Sequence, residues 1–278
     1  MPEVLALTAA LVFGLVHFVS GLLARRADSF AVALFGQLGG VVLVSCAALI
    51  VPAPDVTLSS LIWGAISGLG TGIGVAFLYR GLSTGNMSVV VPLSDVGAVA
   101  LPVLVGVVVL GNRPSALAWI GVLAALPALW LVSRTGSSVR GPVTGGTGDG
   151  LVAGAGFALQ FLAISRVDLD AGLWPILAAR LAAIATIVPI ARHSQARLRL
   201  PRPLIVPATV VGAAGSIAIY VYLVATHQQL LALATVLAAL YPAIPVVLAL
   251  LLLHERLSRQ QMLGLAFTGT SIALIALG

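Results

Sequence analysis

The sequence predicts an all-helical membrane protein in which ten transmembrane helices form two inverted five-helix repeats around a central cavity. Composition is the first observation behind this prediction. The chain is 60% hydrophobic and only 8% charged, whereas soluble domains carry about 25% charged residues. The second observation is an internal repeat, because the chain aligns with itself without a gap when it is shifted by 143 residues.

Ten apolar segments are long enough to cross a hydrocarbon core about 30 Å thick, which takes roughly 20 helical residues. They run near 4–24, 30–51, 59–80, 87–110, 115–133, 149–166, 171–191, 204–225, 230–253 and 258–277. Charged or turn-forming residues separate them, as at Arg25-Arg26 and at residues 111–115. The long apolar runs lack the alternation of a β-barrel, so strands are not expected.

The self-alignment superimposes the hydrophobic segments as well as scattered identical residues. Identical pairs are Phe18/Phe161, Leu38/Leu181, Ala65/Ala208, Gly72/Gly215, Tyr79/Tyr222, Pro102/Pro245, Arg113/Arg256, Ser115/Ser258 and Gly121/Gly264. The alignment divides the chain into a first repeat (1–134), a linker rich in Gly, Ser and Thr (135–148) and a second repeat (149–278). Because five is an odd number, the second repeat enters the membrane upside down. Inverted repeats around a midplane site are typical of secondary transporters.

The distribution of arginine predicts the orientation. All 14 basic residues are arginine, and 11 of them lie on one side of the predicted spans. Only Arg113 and Arg166 lie on the other side. Because arginine-rich loops stay in the cytoplasm, we expect a multi-pass protein of the plasma (inner) membrane with both termini outside the cytoplasm. The net charge of +6 is spread singly or over short loops, so it does not indicate nucleic-acid binding.

Two charged residues lie well inside predicted spans, where an ionised side chain costs at least about 2.5–3.5 kcal/mol. Arg180 lies in the middle of the seventh span and Asp95 in the first half of the fourth. The alignment pairs Arg180 with Gln37, so both repeats are polar at this position. We expect Arg180 to anchor a substrate carboxylate or phosphate, with Gln37 as a neutral donor. The alternative is a fixed ion pair between Arg180 and Asp95.

Asp95 admits three roles, namely proton coupling, direct substrate contact, or a structural role at a helix end. A buried carboxylate can carry a coupling proton because desolvation favours its neutral form. The helical period places Asp95 and Ala98 on one face, and Ala98 aligns with Tyr241. Asp95 and Tyr241 are therefore expected to face the same centre.

The remaining candidates are polar or aromatic residues of other spans. His17 aligns with Gln160, so the two halves again share a polar position. His17 either packs through a hydrogen bond or lines the cavity. Tyr220, with Tyr222 and Trp63, either forms a wall of the cavity or anchors a span at the interface. The predicted substrate-binding set comprises Arg180, Gln37, Asp95, His17, Gln160, Tyr241 and Tyr220.

The sequence lacks convincing enzyme and metal motifs, which argues against catalysis. Residues 146–149 spell Gly-Thr-Gly-Asp, a string found in intramembrane aspartyl proteases, but they fall in the predicted linker and lack an evident partner carboxylate. The chain has no lysine, which excludes an ATP-binding loop of the Gly-x-x-x-x-Gly-Lys type. No Cys/His pattern indicates a metal site. We therefore expect no enzyme activity, no cofactor and no metal.

The end of the chain resembles the EamA-type family of the drug/metabolite transporter superfamily. The resemblance rests on residues 241–245 (YPAIP), an apolar run to Leu253, residues 254–258 (HERLS) and Gly264. The first repeat carries a weaker counterpart in residues 88–94 (SVVVPLS), Pro102, the turn at 112–115 and Gly121. The first repeat departs from the pattern at Gly111-Asn112, because it has no glutamate at the position that Glu255 occupies in the second repeat.

This resemblance implies ten helices around a cavity and the export or exchange of a small metabolite by alternating access, with amino acids as the first expectation. Lipid-carrier flippases share the superfamily and are the alternative. An intramembrane enzyme is a third hypothesis, which would require a modified product. The expected partners are a small-molecule substrate and the lipid bilayer. Because one chain contains both inverted copies, we expect a monomer.

Overall fold

The computed structural model describes residues 2–110, 115–133, 146–228, 241, 243–254 and 258–277, and these residues form helices and short connections without a β-strand. The first repeat contains α1 (Pro2–Ala24), α2 (Ser29–Ala48), α3 (Leu58–Thr84), α4 (Met87–Leu110) and α5 (Ala116–Ser133). The second contains α6 (Thr147–Ile164), α7 (Trp174–His193), α8 (Arg202–Gln228), α9 (Ala243–Leu252) and α10 (Arg259–Leu277). A 3₁₀ turn at Leu169–Ala171 precedes α7.

Five of the described helices are long and apolar enough to cross a membrane. These segments are Ser29–Ala48, Leu58–Thr84, Thr147–Ile164, Trp174–His193 and Arg202–Ala225. Shorter apolar segments occur at Thr8–Ala24 and Val89–Ala98. The chain is a multi-pass helical membrane protein, and the number of ten spans stays a prediction. Most of the predicted ninth span, 229–240, lies outside the described residues.

Local hydrogen bonds set several helix starts. The Asp28 carboxylate caps α2 by accepting from the backbone N–H groups of Phe30 and Ala31 at 2.9 and 3.2 Å. The Thr57 hydroxyl accepts from the N–H of Ser60 at 3.1 Å and begins α3. Such caps satisfy N–H groups that have no partner within the helix.

Two predicted helix starts differ from the observed ones. The seventh span was expected from residue 171, but α7 begins at Trp174 because the chain first forms the 3₁₀ turn that Asp168 caps. The sixth span was expected from residue 149, but α6 begins at Thr147 after Gly146 adopts a φ of 92°. Glycine reaches this left-handed conformation without a side-chain clash.

The contacts between helices give their relative directions. α1 runs parallel to α3, since Gly21 lies beside the Leu82 side chain and, further on in both segments, Arg25 Nη2 donates to the carbonyl of Gly85 at 3.2 Å. α6 runs antiparallel to α3. The Ser67 hydroxyl of α3 donates to the Gln160 carbonyl near the end of α6 at 3.0 Å, whereas Arg80, further along α3, pairs with Asp149 near the start of α6. α6 therefore runs opposite to α1, its counterpart in the 143-residue alignment.

α3 packs closely and in parallel against α7. Gly64 lies against the backbone of Pro175, and Gly68 lies against the backbone of Ala179 four residues later in both helices. Absent side chains let the two backbones approach, which replaces the hydrophobic drive that lipid removes. A helix of the first repeat thus packs directly on a helix of the second.

Two apolar clusters lie at opposite ends of the helices. The first contains Leu23, Phe30 and Leu82 and lies beside the arginine-bearing connections, where the Arg197 N–H donates to Asp28 at 3.0 Å. The second cluster contains Phe13 and Tyr222, among others, and lies at the other end. We call these the arginine-rich end and the arginine-poor end. The polar side chains discussed below lie between the clusters.

We predict that Gly68→Ala lowers the melting temperature of the purified protein in detergent, because the added Cβ would collide with the backbone of Ala179. Overpacking of this kind costs about 1–3 kcal/mol. Gly269→Ala is the matched control, since no described atom lies within 4 Å of its added Cβ. Equal melting temperatures for Gly68→Ala and the parent protein would contradict the close α3–α7 contact.

Candidate functional site: a polar chamber between the repeats

An enclosed chamber lies among α1, α2, α3, α6, α7 and α8, with Tyr241 at its wall. Its volume is about 50 Å³, which exceeds the about 10–15 Å³ that a cavity needs to hold one water. The lining residues are Phe13, Val16, His17, Ser20, Gly36, Gln37, Thr71, Val75, Tyr79, Phe157, Gln160, Phe161, Arg180, Gly212, Gly215 and Tyr241. This volume is well below the about 300–1,000 Å³ of small-molecule pockets.

Arg180 and Gln37 meet inside this chamber. Arg180 Nη1 donates to Gln37 Oε1 at 2.9 Å, and Nη2 lies 3.5 Å from the carbonyl oxygen of Gly215. The Arg180 side chain is 8% exposed, and its Nε is buried without a hydrogen-bond partner among the described residues. The two residues are equivalent in the 143-residue alignment, so their contact joins corresponding positions of the two halves of the chain.

Asp95 does not line the chamber, but it contacts Tyr241, which does. It is 1% exposed and accepts a hydrogen bond from the Tyr241 hydroxyl through Oδ1, whereas its Oδ2 is buried and has no described partner. This contact matches the expectation that Asp95 and Tyr241 face one centre. The structure describes both Arg180 and Asp95 and does not pair them, because the partners of Arg180 are the neutral Gln37 and Gly215.

His17 lies in an aromatic group of the chamber. Its ring stacks on Phe157 at 5.7 Å between centroids and meets Tyr241 edge-on at 5.4 Å. Phe13 lies 6.4 Å away. His17 is 6% exposed, and no described residue bonds to its Nδ1. The structure thus describes a buried ring nitrogen without a hydrogen-bond partner among the described residues.

Gln160 links the chamber to the α3–α6 contact. Its Oε1 accepts from the Thr71 hydroxyl at 2.8 Å, and its backbone carbonyl accepts from Ser67 at 3.0 Å. The structure thus brings Gln160 to the chamber wall and engages it in packing as well.

Tyr220 is not among the chamber residues. It is partly buried and packs against the apolar cluster at the arginine-poor end, as does Trp63. The structure instead brings Tyr79 and Thr71 to the chamber, which the sequence interpretation did not include. One signal was present for Tyr79, because the alignment pairs it with the identical Tyr222. Thr71 carried no such signal, since it aligns with Ala214.

The Gly-Thr-Gly-Asp string does not lie in a linker. Residues 147–149 form the first turn of α6, which corrects the predicted position, and Asp149 pairs with Arg80 rather than with a second carboxylate. Glu255, Arg256 and the turn at 111–114 lie outside the described residues. Within the described ranges no three His, Cys, Asp or Glu side chains stand together as a metal site would require.

A closed polar chamber among membrane helices, with α6 opposed to α1, is typical of the secondary-transporter class. Residues 1–134 match the model of the EamA-like transporter family, part of the drug/metabolite transporter superfamily. This match covers the first repeat and confirms the resemblance noted in the sequence. Members of the family are transporters, not enzymes.

One solved structure, described only as "Crystal structure of protein", is similar to this chain with a TM-score of 0.61 at 17% identity. The similarity covers 98% of this chain and 95% of that one. At this identity the likeness supports the fold alone. No curated protein matches the chain.

We predict that Tyr241→Phe destabilises the protein, because it leaves both Asp95 oxygens buried without a partner among the described residues. A buried acceptor that loses its donor costs about 1–3 kcal/mol. The measurement is thermal unfolding in detergent. Tyr220→Phe is the matched control, because Tyr220 is only partly buried and lies outside the chamber. Equal losses for the two variants would disprove the Tyr241–Asp95 hydrogen bond.

Proposed function

We propose that this protein is a secondary transporter that exports or exchanges a small amino acid-like metabolite by alternating access. Helices of two inverted five-helix repeats would rock around the chamber, opening it to one membrane face at a time. The opposed directions of α1 and α6 support the inverted arrangement. We further propose that the protein acts as a monomer in the plasma membrane with both termini outside the cytoplasm.

The buried guanidinium of Arg180 carries this proposal. A cation inside a membrane protein is costly unless a partner of opposite charge compensates it, and the described partners of Arg180 are neutral. A substrate carboxylate would supply the missing negative charge and accept from the unpaired Nε. Gln37 would then act as an additional donor, a neutral one, through its amide nitrogen, as expected from the alignment.

Asp95 is better placed for a proton than for the substrate. The Tyr241 side chain separates it from the chamber, so a substrate ammonium group would first have to displace this ring. A proton needs only the Tyr241 hydroxyl as a relay. We therefore assign Arg180 to substrate binding and Asp95 to proton coupling, with His17, Gln160 and Tyr241 lining the path. Tyr220 takes no direct part.

The assignment separates two variants in proteoliposomes supplied with a mixture of radiolabelled common amino acids. We predict that Arg180→Gln raises KM by about 10- to 100-fold, since a hydrogen bond to a charged group is worth about 1.5–3 kcal/mol. Asp95→Asn should abolish accumulation driven by a pH gradient and keep exchange at equal pH.

Leu181→Ala is the control for both variants, because Leu181 neighbours Arg180 and is 52% exposed on the outer surface of the helices. It should transport like the parent protein. If Arg180→Gln and Asp95→Asn lose the same activities, the division of roles is wrong. Uptake that both variants leave intact would reject the site altogether.

A swap of the two equivalent residues tests the symmetry of the chamber. We predict that Gln37→Arg combined with Arg180→Gln restores KM to within about tenfold of the parent value, because the cation returns to the same chamber from the opposite helix and recovers its charged hydrogen bond. The control is Gln37→Arg alone, which places two cations side by side and should impair folding. A correctly folded swap as inactive as Arg180→Gln would contradict a shared binding position.

A phosphate-bearing lipid carrier is the competing substrate for Arg180. It would require a lateral opening, whereas Arg180 and Gln37 are almost fully buried among the helices. Thermal-shift measurements distinguish the two. A rise in melting temperature with amino acids supports metabolite transport. A rise with lipid extract alone would replace it with the flippase function.

A further inference from the structure

An ion pair joins α3 to α6 at the arginine-rich end of the chamber. Arg80 Nε donates to Asp149 Oδ2 at 3.0 Å, and Nη2 donates to Oδ1 at 2.5 Å. The Phe77 ring centroid lies 4.5 Å from the guanidinium carbon and supports it from one face. Paired, charge-assisted hydrogen bonds of this kind define geometry as well as energy. The pair therefore locks the relative position of the two helices.

This ion pair lies next to the chamber along the chain. Arg80 directly follows Tyr79, which lines the chamber, and α6 begins two residues before Asp149. Gly81 packs against the carbonyl of Gly146 and the side chain of Asp149, so the two backbones are close there. Arg80 is 37% and Asp149 16% exposed. The pair thus lies beyond Tyr79, towards the arginine-rich end of the two helices.

The equivalent contact at the other end is apolar. The 143-residue alignment pairs Arg80 with Leu223 and Asp149 with Ala6, so α8 and α1 form the corresponding helix pair. Leu223 is fully buried in the cluster that also contains Ala9 and Phe13 of α1. The same element of the fold therefore carries opposite charges at one end and apolar residues at the other.

We infer that the Arg80–Asp149 pair is the gate that keeps the chamber closed at the arginine-rich face, and that an apolar contact of α8 with α1 closes the opposite face. In an inverted repeat, opening one face parts one helix pair and opening the other face parts its counterpart. Salt weakens a partly exposed ion pair but leaves an apolar contact intact. The two gates therefore differ in their response to ionic strength.

The test measures access to the chamber and needs no substrate, so its failure is distinguishable from failure of the proposed transport function. Val75, which lines the chamber, is replaced by cysteine in a Cys46→Ser background. A membrane-impermeant maleimide is applied to sealed vesicles of either orientation. We expect Asp149→Asn to speed labelling from the arginine-rich face about two- to fivefold, the effect of losing an ion pair worth up to about 1 kcal/mol.

High salt should speed labelling from the arginine-rich face alone in the protein that keeps Asp149. In the Asp149→Asn variant, high salt should leave the labelling rate unchanged. The charge-swapped double variant Arg80→Asp with Asp149→Arg should label at the parent rate. Asp168→Asn is the matched control, because Asp168 caps the 3₁₀ turn at the arginine-poor end. Labelling that rises equally from both faces, or a rate that Asp149→Asn leaves unchanged, would overturn the inference.

Discussion

The contact between Arg180 and Gln37 is the interaction on which the rest of the structure depends. It joins residues that are equivalent in the 143-residue alignment, so it links helices from the two halves of the chain. It also leaves a guanidinium without a described carboxylate partner deep among apolar helices, where an uncompensated charge is costly. Such a group is useful only if something else compensates it during the working cycle, and an anionic substrate is the simplest candidate.

Close packing and a small chamber belong together in this conformation. Glycines along α3 let its backbone contact α7, and the chamber between the repeats holds only about 50 Å³. The metabolite that we propose as the substrate needs several times that space, so the proposed transport cycle requires the helices to separate. An ion pair joins α3 to α6 at one end, and an apolar contact joins α8 to α1 at the other. Separating these two helix pairs would therefore cost different amounts of free energy.

Much of this arrangement could be predicted from the sequence because duplication leaves a record. The alignment identified Gln37 and Arg180 as equivalent, and helical periodicity placed Asp95 near Tyr241. The aromatic and small polar lining escaped prediction, because Thr71 and Phe157 follow the same periodicity whether they face lipid or a chamber. Tyr220 lies outside the chamber, since a tyrosine in a span suits an apolar cluster equally well. The early start of α6 depended on the φ of one glycine.

The most direct test of the central claim is an experimental structure with a transported amino acid bound. The account predicts the substrate carboxylate within hydrogen-bond distance of Arg180 Nε, in a chamber widened by separation of the two repeats. A substrate bound elsewhere, with Arg180 still engaged only by Gln37 and Gly215, would contradict it.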